Sequence, residues 1–481
     1  MTNGLRVEEE PAIDKVLRDG VGTAAPVCPG DATKFFRLGD IARTASGGTP
    51  RRDRPDFYGG SIPWVKSGEL RDGIVLATEE AITEAAIEGS SAKVFPKGTV
   101  CVALYGATVG RVGVLGLDAA TNQAVCGIFP SDRLRAEYLR YFLFASRRLL
   151  VESSKGGAQP NVSQQIVREL RIPLPSTARQ REIVAYLDEQ LSRLDASVAA
   201  LHRVQANLKR YRASVLKTAC EGRLVPTEAE LARQQGRNFE TGTQLLQRVL
   251  AERLARASGK QKEPIVADTV LLPSLPTGWT WASLGQIGMV VSGLTKNPKR
   301  EKLEPKLPYL RVANVYADEL RLSEIELIGV GDAELEKLLV LKDDLLVVEG
   351  NGSPDQIGRV ALWDGSISPC VHQNHLIKVR LHSVNARWAM NWLLSPQGRN
   401  QIEQASSSTS GLHTLSTGKV ARLTIPLPPL AEQHRIVAEA DRRLSLVRVA
   451  EAQVVANLAR AHRLRQSILQ AAFTMPAQAG Q

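Results

Sequence analysis

The spacing of hydrophobic residues changes twice along this chain, and each change follows a nearly identical phrase. IPLPSTARQREIVAYLDE begins at Ile172 and IPLPPLAEQHRIVAEADR begins at Ile425. Before each phrase, apolar residues fall in short runs such as TVCVAL, LLVVEG and LIKVRL, which Gly, Ser and Pro interrupt. Such runs predict strands, and each half adds one helical patch. The pattern therefore predicts two β-rich mixed α/β domains, each followed by a long helix.

The two helical stretches carry apolar seams with alternating spacings of four and three residues. The first seam consists of Leu187, Leu191, Leu194, Val198, Leu201, Leu208 and Val215. The second consists of Ala440, Leu444, Val447, Val454, Leu458, Ala461 and Ile468. Polar residues interrupt both seams, at Gln205 and Arg212 in the first and at Glu451 and Arg465 in the second. A sustained 3.5-residue period is typical of coiled coils.

Each helix is expected to run for about 37 residues, which is roughly 55 Å at the α-helical rise. A lone helix of this kind would leave a continuous apolar stripe in water, and the other helix keeps the same frame. We therefore predict that the two helices pair with each other as an antiparallel coiled coil. The alternative is that each helix packs only on its own domain.

Turn and capping residues predict where the helices begin and end. Thr177 and Gln180 form a candidate capping box at the first start, and Pro429 suits the first turn of the second helix. Gly222 predicts the end of the first helix, and the second should end before Pro476. The predicted organisation is an N-terminal extension (1–35), a first domain (36–175), a first helix (176–221), a linker with one short amphipathic helix (222–279), a second domain (280–428), a second helix (429–475) and a tail (476–481).

The two domains also repeat shorter motifs. LGDIARTASGGTP at Leu38 is similar to LGQIGMVVSGLTK at Leu284, and IPWVKSGEL at Ile62 is similar to LPYLRVANV at Leu307. A chain that repeats both a domain and a helix is predicted to be an α+β protein of two similar halves. If the helices run antiparallel, the halves are related by a pseudo-twofold axis.

The balance of charges narrows the choice of partner. A net charge of +11 and a pI of about 9.5 suggest nucleic acid, although a basic but inert surface is the alternative. The five cysteines form no CxxC pair, which favours a reducing compartment over a disulfide framework. No apolar stretch approaches the ~20 residues that span a bilayer, and no secretory h-region is present, so a cytoplasmic protein is expected.

Duplex DNA offers a partner with matching symmetry, because its strands are also related by twofold axes. Its major-groove face recurs about every 34–36 Å, so a spacer of roughly 55 Å is compatible with two contacts about one turn apart. Since the loops of the two domains differ in sequence, the expected target is bipartite and asymmetric, with one half-site for each domain.

These residues resemble the specificity (S) subunits of Type I restriction-modification enzymes, the HsdS family. The resemblance rests on the doubled IPLP…Q…IV junction, the SGGTP stretch, the IPWVKSGEL segment and the LPTGWTWASLG phrase, and it spans roughly residues 36–475. It implies that 36–175 and 280–428 are target recognition domains and that the helices are spacers. One departure is that Ala440 and Ala461 replace leucines in the second seam.

The same resemblance implies the partners of this chain. It would bind double-stranded DNA without catalysing a reaction, and it would dock two adenine-DNA methyltransferase subunits and, for restriction, a motor-nuclease subunit. S-adenosylmethionine, ATP and Mg²⁺ would belong to those partners, and this subunit would hold no cofactor and no metal.

Loops rich in polar residues and glycine supply the candidate DNA contacts. Lys and Arg are expected on phosphates, and Arg, Asn, Gln and similar side chains on base edges. The candidates in the first domain are Arg51, Arg52, Arg54, Lys66, Ser67, Tyr105, Thr108, Arg111, Lys155, Gln159 and Asn161. Those in the second are Lys296, Arg311, Asn351, Ser353, Arg359 and His413. The plainer interpretation of each is a solvated loop or an ordinary turn.

Motifs of catalysis are not found in the sequence. N-P-P-[YF] and D-P-P-[YF], which an adenine methyltransferase would be expected to show, do not occur, and neither Pro-Asp pair is followed by a nuclease (D/E)xK triplet. Cys370, His372 and His375 would point to both faces of a strand, so no metal site is expected. The rival interpretation is a coiled-coil scaffold whose β-rich domains bind protein or glycan, with the positive charge incidental.

Overall fold

The computed structural model of the protein describes residues 34–154, 161–255, 265–266, 268, 272–350, 356–406 and 414–473. The chain divides into two units, one formed by Met1–Arg203 with Val454–Gln481 and the other by Val204–Gln453. Each unit contains one β-rich domain together with a segment of both long helices. The predicted fold class, two similar mixed α/β domains with two long helices, is confirmed.

The first domain consists of two main sheets and one strand pair. Its strands are β1 (Phe35–Arg37), β2 (Arg43–Ser46), β3 (Tyr58–Val65), β4 (Ile74–Val75), β5 (Glu80–Ile82), β6 (Val94–Phe95), β7 (Val100–Ala103), β8 (Val112–Leu115), β9 (Ala119–Thr121), β10 (Val125–Phe129) and β11 (Arg171–Pro173). Its helices are α1 (Leu38–Ile41), α2 (Glu84–Glu88), α3 (Ala136–Ser153) and α4 (Gln164–Glu169). The sheets have the orders β2-β10-β7-β8-β4 and β5-β3-β9-β6, and β1 pairs with β11.

Three helices follow the first domain: α5 (Thr177–Cys220), α6 (Glu228–Gln235) and α7 (Gly242–Ala255). The sequence predicted only one helix in the linker, at the position of α7, so α6 is an addition. It has no apolar period, because only Glu228 and Ala232 are buried. Thr227 and Glu230 begin it with a capping box, a signal that the hydrophobic pattern does not contain.

The second domain repeats the plan of the first. Its strands are β12 (Thr280–Ser283), β13 (Gly288–Ser292), β14 (Lys306–Leu310), β15 (Val315–Tyr316), β16 (Glu319–Leu320), β17 (Glu326–Gly329), β18 (Leu345–Val348), β19 (Val360–Leu362), β20 (Val371–His372), β21 (Leu376–Leu381) and β22 (Thr424–Leu427). Its helices are α8 (Leu284–Ile287), α9 (Asp332–Leu338), α10 (Ala386–Leu394), α11 (Pro396–Ser406) and α12 (Thr417–Arg422), and α13 (Leu430–Phe473) follows. The sheets have the orders β13-β21-β18-β19 and β17-β14-β20, with the pairs β12–β22 and β15–β16.

A glycine in the repeated SG motif has the same task in both domains. A Cβ atom at Gly47 would lie 2.2 Å from the Thr121 carbonyl oxygen, and one at Gly293 would lie 2.0 Å from the His372 carbonyl oxygen. Real side chains do not fit at such distances, so each position requires glycine for close approach of two backbone segments. The motif therefore fixes where the following loop leaves its sheet.

The two long helices each contain 44 residues, or roughly 66 Å at the α-helical rise. The length of about 37 residues expected from the apolar seams is too short, because both helices continue beyond the ends of their seams, towards the bounds 176–221 and 429–475 that the domain organisation gave them. Within the described residues, α5 ends at Cys220, shortly before Gly222, and α13 ends at Phe473. No helix in this part of the chain combines the length and apolarity needed to cross a membrane.

In the first unit, the beginning of α5 packs with the end of α13. Asp195 pairs with Arg465, and a single core contains residues of both helices: Ile183, Leu187, Leu191, Leu469, Ala472 and Phe473. The same core includes Tyr138 and Leu139 of α3. The helix segments thus pack both on each other and on the domain of their own unit.

In the second unit, the end of α5 packs with the beginning of α13. Arg212 lies 3.4 Å from Glu451, so two residues that interrupt the seams pair with each other. One core contains Val215, Leu216, Ala219, Ala440 and Leu444. The order of contacts is antiparallel in each unit. Of the predicted spacer residues, Leu187, Leu191, Leu194, Leu201, Leu444, Val447 and Val454 are buried, and Val198, Leu208 and Leu458 are half-buried.

The first helix begins differently from its predicted capping box. The Ser176 hydroxyl, rather than Thr177, accepts the Arg179 backbone N–H at 3.3 Å. The Gln180 side chain is fully buried and contacts the domain instead: it accepts the Arg135 backbone N–H at 3.0 Å and donates to the Arg133 carbonyl oxygen at 2.7 Å. The capping-box prediction is wrong because the Gln180 Oε1 accepts the Arg135 N–H instead of a backbone N–H at the helix start, and its amide nitrogen donates to the Arg133 and Pro175 carbonyl oxygens.

The second junction uses its glutamine in the same way. Gln433 is fully buried, accepts the Asn385 backbone N–H at 2.9 Å and donates to the Pro428 carbonyl oxygen at 2.9 Å. Arg135 and Asn385 are the N-cap residues of α3 and α10. Each glutamine therefore attaches a spacer helix to the main helix of its domain, which explains why the phrase is written twice.

Candidate nucleic-acid interface

Two of the predicted contact residues in the first domain converge on one glutamate. Glu80 lies on β5, and its carboxylate accepts hydrogen bonds from Arg52 Nη1 at 2.7 Å and from Lys66 Nζ at 3.1 Å. Arg52 belongs to the loop after SGGTP, whereas Lys66 is the residue immediately after β3. Lys66 also donates to Glu79 at 2.8 Å. The cluster thus joins a loop to the end of a strand.

The local sheet geometry places these groups together. β3 and β5 pair antiparallel with Trp64 opposite Glu80, so the carboxylate lies beside the end of β3. The Arg52 guanidinium carbon lies 4.6 Å from the Tyr58 ring centroid and 5.2 Å from that of Trp64. These aromatic faces hold the arginine in addition to its ion pair.

The second domain builds an equivalent cluster from the corresponding positions. Glu326 lies on β17 and accepts hydrogen bonds from Lys296 Nζ at 2.8 Å and from Arg311 Nη1 at 2.6 Å. Lys296 follows SGLT, and Arg311 is the residue immediately after β14. β14 and β17 pair antiparallel with Tyr309 opposite Glu326. In both domains, a glutamate therefore lies between a loop cation and a strand-end cation.

The two clusters have similar exposure as well as similar geometry. The side chains of Lys66 and Arg311 are both 29% exposed, and those of Glu80 and Glu326 are 32% and 36% exposed. All four groups remain accessible to a partner. We call this shared arrangement the glutamate-centred cluster. It consists of Arg52, Lys66 and Glu80 in the first domain and of Lys296, Arg311 and Glu326 in the second.

The cations keep both central carboxylates ionised. Hydrogen bonding from Arg52, and then from Lys66, lowers the pKa of Glu80 below its ordinary value. Hydrogen bonding from Lys296, reinforced by the charge of Arg311, lowers the pKa of Glu326. Each cluster therefore carries two positive charges and one negative charge at neutral pH. Glu79, which also accepts a hydrogen bond from Lys66 and is kept ionised by it, balances the charge of the first cluster, so only the second cluster is net positive among these groups.

The glycine-rich loop of the first domain presents an exposed cation, Arg111. Tyr105 forms an isolated bridge with Asn161 and is 38% exposed, and the Thr108 hydroxyl donates to the Tyr105 carbonyl oxygen at 2.9 Å. Arg111 is exposed, and its guanidinium has no partner among the described residues. This loop is therefore ordered around an arginine that is available to DNA.

The corresponding arginine of the second domain is held by protein groups. Arg359 is 9% exposed, donates to the Val312 carbonyl oxygen at 3.3 Å and lies 4.6 Å above the Tyr316 ring. Its guanidinium is less accessible than that of Arg111. The sequence predicted the same role for Arg111 and Arg359, whereas the structure shows that Arg111 is exposed and Arg359 is buried.

The remaining predicted residues of the first loop are paired locally. Arg51 pairs with Asp53, and Arg54 pairs with Asp56 at 2.7 Å, so the loop compensates much of its own positive charge. Ser67 begins the short 3₁₀ turn that follows Lys66.

Five predicted contact residues lie outside the described residues. They are Lys155, Gln159, Asn351, Ser353 and His413.

The sequence interpretation missed the two central glutamates. An acidic residue in a short strand looks like an ordinary solvated position, and its role depends on cross-strand neighbours. The available signal was the repeat itself, because a glutamate recurs on the strand that pairs with IPWV and with LPYL. Also missed were Lys299 and Lys302, whose side chains have no partner among the described residues.

The candidate metal residues of the second domain make separate contacts. His372 is buried, its Nδ1 lies 2.8 Å from the Leu376 carbonyl oxygen, and burial lowers its pKa to about 4. His375 pairs with Glu349 at 2.8 Å, and burial raises the pKa of the Cys370 thiol to about 12. Within the described residues, no group of three or more His, Cys, Asp and Glu side chains is arranged to hold a metal ion.

Comparison with known proteins assigns the chain to a family. The family model described as the Type I restriction modification DNA specificity domain matches residues 31–207 and 276–441. The chain is 24% identical over 421 residues to the Type I restriction enzyme StySPI specificity subunit of Salmonella potsdam, which covers 86% of this chain and 81% of that protein. It is also 24% identical over 428 residues to the EcoKI specificity subunit of Escherichia coli strain K12, with 86% and 82% covered.

A solved structure supports the same fold. A chain from a study of complex assembly and conformational transition of the type I R-M system matches with a TM-score of 0.62 and 20% identity, covering 93% of this chain and 98% of that chain. The two matched segments of the family model together span more than half of the sequence. The chain therefore belongs to the DNA specificity subunits of Type I restriction-modification systems, and its two β-rich domains are DNA target recognition domains.

Proposed function

We propose that this subunit recognises a bipartite, asymmetric DNA target, with one half-site for each recognition domain. The main support for this proposal is the glutamate-centred cluster, which occurs in both domains. Each domain presents two cations from equivalent positions beside its own sheet. The loops around the two clusters differ in sequence, and Arg111 and Arg359 differ in accessibility. Two domains with one plan and different surface groups suit two half-sites of different sequence.

The spacer helices set the number of base pairs between the half-sites in this proposal. They are continuous over 44 residues each and pack antiparallel within each unit. The buried side chains of Gln180 and Gln433 attach each helix to its domain by hydrogen bonds. A rigid attachment is what a fixed gap requires.

The subunit acts without catalysis and as part of a larger enzyme in this proposal. It docks two adenine-DNA methyltransferase subunits and, for restriction, a motor-nuclease subunit, and S-adenosylmethionine, ATP and Mg²⁺ bind to those partners. The repeated spacer helices offer each methyltransferase a similar surface. Its place of action is the cytoplasm, where these partners meet the chromosome.

Mapping of adenine methylation tests the proposal. Cells that express the subunit with its methyltransferase should carry methylated adenines within one interrupted motif, whose two specified parts differ in sequence. A continuous motif, or a palindromic one, would contradict the assignment of one half-site to each domain.

The salt dependence of DNA affinity distinguishes DNA recognition from the alternative, a coiled-coil scaffold. Phosphate contacts release counterions, so the affinity of the full-length chain for its target duplex should fall steeply between 50 and 200 mM salt, by about tenfold or more if several phosphates are contacted. An affinity that does not change with salt would favour a scaffold that binds protein or glycan.

A further inference from the structure

We propose that Glu80 and Glu326 are positioning residues for base readout, and that the arginine each one holds reads a guanine in its half-site. The inference rests on the proposed function and deepens it, because it names the groups and the base. It starts from the glutamate-centred cluster, in which one carboxylate orients two cations in each domain.

A carboxylate at this place opposes simple electrostatic attraction. Phosphates repel a negative charge, so a surface that served only non-specific affinity would be stronger without Glu80 or Glu326. The same carboxylate nevertheless occurs in both domains, on the same strand and opposite an aromatic residue, Trp64 or Tyr309. Its presence in both suggests that orientation of the cations matters more than the total charge.

Each arginine keeps donors for a base while it is held. Arg52 uses Nη1 and Nη2 on Glu80, at 2.7 and 3.4 Å, and Arg311 uses Nη1 on Glu326. A guanidinium has five N–H donors in a rigid fork. Arg52 uses two of them on Glu80, and Arg311 uses one on Glu326 while its Nε is buried, so three donors remain on each side chain. A bidentate pair with O6 and N7 of guanine needs two donors and a fixed plane. The Glu80 carboxylate supplies that plane to Arg52 through two hydrogen bonds, and one hydrogen bond to Glu326 together with a buried Nε orients Arg311.

The two clusters exchange their cation types. In the first domain the arginine comes from the loop and the lysine from the strand end, and in the second the order is reversed. Arginine suits bidentate base recognition, whereas lysine acts as a point charge on phosphate. We therefore assign guanine readout to Arg52 and Arg311, and phosphate contact to Lys66 and Lys296. The exchange moves the guanine contact to a different place in each half-site.

The test compares neighbouring glutamates of equal charge in the full-length chain with its methyltransferase partners. Glu80→Gln and Glu79→Gln each remove one negative charge, and both side chains contact Lys66, but only Glu80 contacts Arg52. In the second domain, Glu326→Gln is matched by Glu324→Gln, which is exposed and makes no side-chain contact among the described residues. The duplex probes carry the methylation target, the same target with 7-deazaguanine at single positions, and unrelated DNA.

The expected result separates discrimination from affinity. Glu80→Gln should reduce the preference for guanine over 7-deazaguanine by about fivefold or more at one position of the first half-site, while binding to unrelated DNA becomes tighter. Glu79→Gln should tighten binding to unrelated DNA to a similar extent and leave that preference unchanged. Glu326→Gln should act only on the second half-site, and Glu324→Gln on neither.

Equal behaviour of Glu80→Gln and Glu79→Gln would overturn the inference while leaving the proposed function intact. If the wild-type complex shows no preference for its target, the proposed function itself fails. Arg52→Lys and Arg311→Lys provide a second route if a glutamine variant does not fold. They retain the charge, so they should lose the guanine preference with no change in the salt dependence, and a retained preference would refute the assignment.

Discussion

Gln433 provides a direct test of how the recognition domain is attached to its spacer helix. Its side chain is fully buried and satisfies the Asn385 backbone N–H and the Pro428 carbonyl oxygen, both at 2.9 Å. Gln433→Ala removes the hydrogen-bond partner of both groups, which leaves a buried carbonyl oxygen and a half-buried N–H without that bond. An orphaned buried group costs about 1–3 kcal/mol and a half-buried one costs less, so the variant should lose about 2–4 kcal/mol of unfolding free energy.

Urea denaturation followed by tryptophan fluorescence measures this loss. Five of the six tryptophans lie between Trp279 and Trp392, so the signal reports mainly on the second unit. With a urea slope of about 2–3 kcal/mol per molar, the midpoint should fall by roughly 1 M. Gln205→Ala is the matched control, because Gln205 is exposed on the surface of α5 and its replacement should change the stability by about 0.5 kcal/mol or less. A loss below about 1 kcal/mol for Gln433→Ala would refute the attachment argument.

Three further predictions address pH, the gap and phosphate contact. Burial lowers the folded-state pKa of His372 to about 4, so the unfolding free energy of the second unit should fall by about 3 kcal/mol as the pH falls from about 6.5 towards 4. Urea titrations at each pH measure this loss, and His372→Thr should make it smaller. Insertion of seven residues into both spacer helices adds about 10 Å and should lengthen the unspecified gap of the methylated motif by about three base pairs; an unchanged gap would reject the spacer role. Arg111→Ala should reduce the slope of log affinity against log salt by about 1 and weaken binding to all sequences alike.

The repeated architecture could be predicted from the sequence because it rests on periodicity. The seams predicted both helices and their pairing, since residues such as Leu187 and Leu444 recur at a coiled-coil spacing that tertiary contacts do not override. The length of about 37 residues inferred from the apolar seams was too short, because polar and charged residues outside the seams continue each helix without an apolar signal. The helix α6 was missed for the same reason.

The candidate site was predictable only in part. Four cations stand out near turns in the sequence: Arg52, Lys66, Lys296 and Arg311. The two cations of each domain share a glutamate on another strand, and only the strand register reveals that partner. Gln180 occupies a capping-box spacing, yet its amide oxygen accepts the backbone N–H of Arg135, about 45 positions earlier, because the domain offers that donor there. At such positions a side chain can make either the local contact that its spacing predicts or a long-range contact. Only the local spacing can be read from the sequence.

An exchange of one recognition domain tests the central claim most directly. Residues 36–175 are replaced by the corresponding domain of a relative with a different target, and the methylated motif of the hybrid complex is determined by sequencing of modified adenines. The account predicts that one half of the motif changes while the other half and the gap remain the same. A change in both halves would contradict the assignment of one half-site to each domain.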